Sequence, residues 1–131
     1  MMKTPIAYPG MNAADRPMGP APLSAAILSE PMLFISGQVA IDPYTGKIVG
    51  DDVASQTAQI IENMRGLLES AGMSLANLVK VNIFLTDLAK FDEMNTVYAA
   101  AFTAPYPARA TVGATLNHPD LLLEMDAIAM R

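Results

Sequence analysis

A chain of 131 residues is the size of one domain. At 52% hydrophobic and 16% charged, it is too apolar for intrinsic disorder, and the absence of cysteine excludes a disulfide scaffold, a thiolate zinc site and a cysteine nucleophile. Eight basic against thirteen acidic residues leave a net charge of -5 and a pI of about 4.6, the reverse of what gripping phosphates requires, so nucleic acid is not an expected partner.

Mean hydropathy is +0.30, high for a small soluble monomer, and the surplus predicts an oligomer interface. No apolar run is long enough for a membrane helix and no signal peptide is evident, so a cytoplasmic protein without a membrane partner is expected.

Residues 1–22 read as an irregular N-terminal segment, because Pro9, Pro17, Pro20 and Pro22 remove donors and restrict their predecessors. Two short strands are predicted at Leu23–Leu28 and Met32–Ile35, broken at Ser29-Glu30-Pro31. In the following Ser36-Gly37-Gln38, a glycine within a strand pattern signals a bulge or a close backbone approach. Asp42-Pro43-Tyr44-Thr45-Gly46 is a turn.

Val53–Ala71 is the clearest helix. Val53, Ile60, Ile61, Met64, Leu67 and Leu68 recur at helical spacing, Asp51 or Asp52 can cap its start, and Gly72 suits a left-handed end. Gly66 inside it implies close packing, expected against a sheet. Val79–Leu85 alternates, with Val79, Val81, Ile83 and Leu85 as its inner face. A second helix is predicted from near Leu88 to Phe102, capped by Asp87 or Asp92, with Phe91, Met94, Tyr98 and Phe102 as its apolar stripe. Strands at Ala108–Ala114 and Leu121–Met130, joined through Asn117-His118-Pro119-Asp120, complete an α+β layer arrangement with helices on one sheet face.

His118, alone in a turn, reads as a surface residue rather than a metal ligand. Ser36-Gly37-Gln38 is no nucleophile elbow, and no phosphate-loop pattern occurs. The last two strands carry the chemistry. Glu124 and Asp126 project from one face of an otherwise apolar strand, while Arg109, Thr111 and Gly113 share a face of the strand before it. Such charges must be paired, solvated or line a cavity. A structural ion pair or a solvated sheet face is one reading. The other is a site for a small carboxylate, with Arg109 as the anion fork and Glu124 as the proton acceptor from water. Asn95 shares the packed side of the second helix with Phe91 and Tyr98, as a structural amide or a ligand contact.

Ser36-Gly37-Gln38, the Asp92–Phe102 helix with Asn95 and Tyr98, Pro107-Ala108-Arg109, and Glu124-Met125-Asp126-Ala127-Ile128-Ala129 together resemble the RidA (YjgF) family over roughly residues 20–131. The resemblance implies a single domain over residues 1–131 with a chorismate-mutase-like sandwich: a mixed β-sheet with two α-helices on one face. It implies a homotrimer with clefts between subunits. It also implies hydrolysis of reactive enamines and imines, such as 2-aminoacrylate and 2-iminobutanoate, to 2-keto acids and ammonia, with no cofactor or metal.

By the same resemblance Arg109 binds the substrate carboxylate, Glu124 positions the attacking water, and Gly37, Asn95 and Thr111 line the substrate cleft. The chain reads as a divergent member: Leu23 or a neighbour stands where the family has a pocket tyrosine, Thr111 replaces a cysteine, and Gly113 a glutamate. Two alternatives from other classes are a trimer that binds 2-keto acids without turnover and an RNA-cleaving translation inhibitor. The acidic composition and the lack of a basic stripe oppose the second.

Overall fold

Alternation in the strands and helical spacing in the helices direct the apolar residues to one shared layer. The computed structural model describes residues 2–14 and 21–131, so Pro17, Gly19 and Pro20 of the expected irregular segment lie outside the described residues. In chain order the elements are β1 (Thr4–Ile6), β2 (Ala26–Ser29), β3 (Met32–Gln38), α1 (Val53–Ser70), β4 (Leu78–Leu85), α2 (Phe91–Ala101), β5 (Ala108–Gly113) and β6 (Leu123–Met130). The strands form one mixed sheet in the order β1-β2-β3-β6-β4-β5. Only β4 and β5 run parallel, and α2 is the crossover between them. The last strand therefore inserts between β3 and β4 and meets both antiparallel.

Leu33, Ile35, Val81, Ile83, Leu85, Leu123, Met125, Ala127 and Ala129 face the helices and are buried. Ile60, Met64, Leu67 and Leu68 of α1 and Met94 and Tyr98 of α2 close over them. Of the two candidate caps, Asp52 does the work: its Oδ1 accepts from the Ser55 N–H at 2.7 Å. The helix ends as expected, at Gly72 with φ +73°. Among the described residues, no helix is long and apolar enough to cross a membrane.

Several boundaries differ from the sequence reading, each for a local reason. The N-terminal segment is not wholly irregular, because Thr4–Ile6 pairs antiparallel with β2 as an edge strand that tolerates Pro5. Leu23 is outside the strand and 52% exposed, since its N–H turns back to the Ala21 carbonyl at 2.8 Å. Val79 is 44% exposed rather than inward. The β4–β6 register shifts between Leu78 and Lys80, and Leu78 takes the inner position. The second helix begins as a 3₁₀ turn over Leu88–Lys90, capped by Asp87 through the Ala89 N–H, and becomes α-helical only from Phe91, with Asp92 in its first turn. Gly66 packs not on the sheet but on the N-terminal segment, where a Cβ would lie 3.2 Å from Pro9 Cδ.

Candidate functional site

The expected site residues fall into two groups. Gly37 and Glu124 are together. Gly37 lies in the β3 bulge between Ile35 and Gln38, and a side chain there would run into the Glu124 carboxyl, with Cβ only 2.9 Å from Cδ. Only glycine admits this approach. Both residues line an open cleft of about 440 Å³, walled by Ile6, Tyr8, Leu23, Ala25, Ser36, Gln38, Val39 and Ile41. The cleft is mostly apolar, and Glu124 is its only carboxylate among the described residues. Burial raises the Glu124 pKa above the ordinary carboxylate value, and the nearby Asp126 charge adds to the shift. Asp126 itself accepts from Asn82 Nδ2 at 2.8 Å.

Arg109, Asn95 and Thr111 form the second group. In the parallel register Arg109 lies beside Val81 and Thr111 beside Ile83, so both side chains leave the sheet on the helix-covered face. There the Arg109 guanidinium sits 4.9 Å from the Tyr98 ring centroid and 5.6 Å from that of Phe91. Neither ion pair found among the described residues involves Arg109. Asn95 Oδ1, Tyr98 Oη and Thr111 Oγ1 are buried without a hydrogen-bond partner among the described residues. Buried polar atoms are costly to leave unpaired, so these three can take a hydrogen bond from outside the described residues.

Glu124 is on the other face. It alternates with the inward Met125 and pairs in register with Phe84, whose neighbours Ile83 and Leu85 point inward. Within one chain, then, Arg109 and Glu124 do not meet. Two residues the sequence does not assign to the site are Tyr8, in a segment that reads as irregular, and Tyr98, which reads as part of the apolar stripe and of the family motif. His118 is a turn residue as expected, its Nδ1 accepting from the Asp120 N–H at 3.1 Å. Among the described residues no three His, Asp or Glu side chains gather as a metal site.

A mixed six-stranded sheet under two helices is an architecture this chain shares with many solved small α+β proteins. The family model of endoribonuclease L-PSP matches residues 13–131. A RutC family protein of Pyrococcus horikoshii is 44% identical over 118 residues, covering 90% of this chain and 92% of its own. The chloroplastic Reactive Intermediate Deaminase A of Arabidopsis thaliana is 37% identical over 119 residues, covering 91% of this chain and 64% of its own. The crystal structure of E. coli TdcF with bound serine superposes with a TM-score of 0.83 at 32% identity, covering 98% of each chain. The chain belongs to this L-PSP family, which includes the RutC and RidA proteins.

Proposed function

We propose that the protein is an imine deaminase that converts 2-imino acids of the 2-aminoacrylate and 2-iminobutanoate type to 2-keto acids and ammonia. The observation that carries the reading is the Arg109 half-site: a guanidinium in no ion pair among the described residues, on the Phe91 and Tyr98 rings, with the partnerless Tyr98 oxygen on one of them and those of Asn95 and Thr111 on the same helix and strand. A planar fork with adjacent polar atoms suits a small carboxylate. A relative bearing the deaminase name and a structural neighbour that holds serine, another carboxylate beside a nitrogen-bearing carbon, support the same class.

The carboxylate cleft of a second copy completes the site. The outer sheet face carries Glu124 together with the exposed apolar Phe34, Val112 and Met130, and no helix among the described residues covers it. A homotrimer that seats the α2–β5 edge of one subunit on the outer face of the next buries that surface and brings Arg109 to Glu124.

There the imine carbon is already electrophilic. Glu124 accepts a proton from water as the oxygen bonds to that carbon, and the nitrogen takes up a proton from solvent to give a carbinolamine. The protonated Glu124 then returns its proton to the nitrogen. The C–N bond breaks, ammonia leaves, and the hydroxyl gives its proton back to solvent to leave the keto acid. A raised pKa suits a group that must both accept and return a proton. Purified protein should accelerate keto-acid release from freshly generated 2-iminobutanoate. Release at the uncatalysed rate would overturn the reading.

A further inference from the structure

The N-terminal segment reaches the cleft through a built turn. Tyr8-Pro9-Gly10-Met11 closes with the Met11 N–H on the Tyr8 carbonyl at 3.0 Å, and Gly10 takes φ +81°, as a turn with proline then glycine at its centre requires. Pro9 seats on Gly66 of α1, and its carbonyl accepts the Tyr44 hydroxyl at 2.9 Å. This seating aims the Tyr8 side chain into the cleft, where its hydroxyl donates to Gln38 Oε1. Gln38 is 4% exposed, and its Nε2 donates to the Ser36 carbonyl at 3.0 Å. The chain of bonds thus spans the bulge whose middle residue, Gly37, supports the Glu124 carboxyl.

We propose that Tyr8 is a positioning residue for Glu124, acting through Gln38 to hold the Ser36-Gly37-Gln38 bulge in the shape against which the carboxyl rests. The proposal rests on the deaminase reading for its effect on rate, but not for its effect on Glu124 itself. Burial pushes the Tyr8 phenol up to about 12, so at working pH it is a neutral donor and not a base. Without the hydroxyl, Gln38 Oε1 is left unpaired in a buried place. The bulge is then free to admit water or reorganise.

Among the described residues the groups around Glu124 are few. Asp126 faces it from its own strand, and Phe84 and Asn82 from β4, with Asn82 bound to Asp126. Gly37 and Gln38 face it from β3, and Tyr8 from the N-terminal segment. Of these only Asp126 and Tyr8 titrate.

The test compares wild type, Tyr8→Phe, Gln38→Ala and the double variant. The Glu124 carboxyl is titrated by carbon NMR with no substrate present, and 2-iminobutanoate hydrolysis is followed against pH. Tyr8→Phe should lower the Glu124 midpoint, as water enters, and lower kcat about tenfold, the loss of one buried hydrogen bond read through the barrier. The double variant should be no worse than Gln38→Ala alone. An unchanged Glu124 midpoint in Tyr8→Phe would overturn the proposal, as would additive losses in the double variant. A wild type that titrates as described but does not hydrolyse imine would sink the deaminase reading while leaving the positioning role intact.

Discussion

Arg109 and Glu124 leave opposite faces of one sheet, with β4 between their strands. A reaction that needs both must draw them from different copies of the chain. Arg109→Ala and Glu124→Ala should each lose imine hydrolysis by on the order of 10²-fold or more, the scale for removing a charge-stabilising group from an active site. Mixed and reassembled, the two inactive variants should recover activity. Random assembly leaves about a quarter of the clefts with an intact arginine from one subunit and an intact glutamate from the next. Activity of the mixture no greater than the sum of its parts, with subunit exchange verified by mass spectrometry, would place both groups in one chain.

The pH dependence follows from the raised Glu124 pKa. The native state holds the Glu124 proton to higher pH than the unfolded chain does, because burial and Asp126 both disfavour the carboxylate. Between the ordinary glutamate value and the raised one, the native state binds more protons, so this group's contribution to stability falls as pH rises through that window. Glu124→Gln removes the contribution. Its unfolding free energy should therefore gain on wild type as pH climbs, with the two curves running parallel at acid pH. In catalysis the sign reverses, because the carboxylate is the active base: the rate should fall on the acid side at a pH above the ordinary glutamate value. Urea unfolding and initial rates across the same buffers check both.

The elements were legible where a period ran unbroken. Leu123, Met125, Ala127 and Ala129 alternate without interruption and all proved buried, and the spacing of α1 gave its whole apolar face. The phase of β4 was lost at Val79 because a bulge adds a residue that periodicity cannot see. Alternation also states which residues share a face within a strand, but not which face a neighbouring strand presents. That depends on the register across β4, and it is why the sequence alone does not say that Arg109 and Glu124 leave opposite faces within one chain. Tyr8 was missed although Tyr8-Pro9-Gly10 is a turn signature. Nothing short-range in the sequence says that the turn is seated on Gly66, far along the chain from the β3 bulge it serves, or that the tyrosine meets Gln38.

Gly37→Ala isolates the contact between bulge and carboxyl. The added methyl would stand 2.9 Å from Glu124 Cδ, so either the carboxyl swings away or the bulge shifts. Glu124 lines an open cleft and its far end can move, so the chain should still fold. Hydrolysis should fall by about tenfold or more, since a small misplacement of a reacting group is costly. A crystal structure of the variant should show the displaced carboxyl. Wild-type rates in Gly37→Ala would mean that the approach of Gly37 to Glu124 has no part in catalysis.

Gln56 ties the entry of β6 to α1, and its loss should be felt as stability rather than as chemistry. The side chain is fully buried in the first half of α1. Its Nε2 donates to the carbonyls of Asp120 at 2.8 Å and Gly50 at 3.1 Å, while its Oε1 accepts the Leu122 N–H at 2.9 Å. These bonds fix the residues immediately before β6, two positions ahead of Glu124. Gln56→Ala leaves two carbonyls and an amide to find water or remain unpaired, so a loss of about 2–4 kcal/mol in urea unfolding is expected. Gln56→Glu keeps the acceptor for Leu122 but offers no donor to either carbonyl, and a buried charge replaces an amide. It should therefore be at least as unstable as the alanine at neutral pH and recover as acid protonates it. If Gln56→Glu instead matched wild type at neutral pH, the bonds to Asp120 and Gly50 would not be what holds this junction.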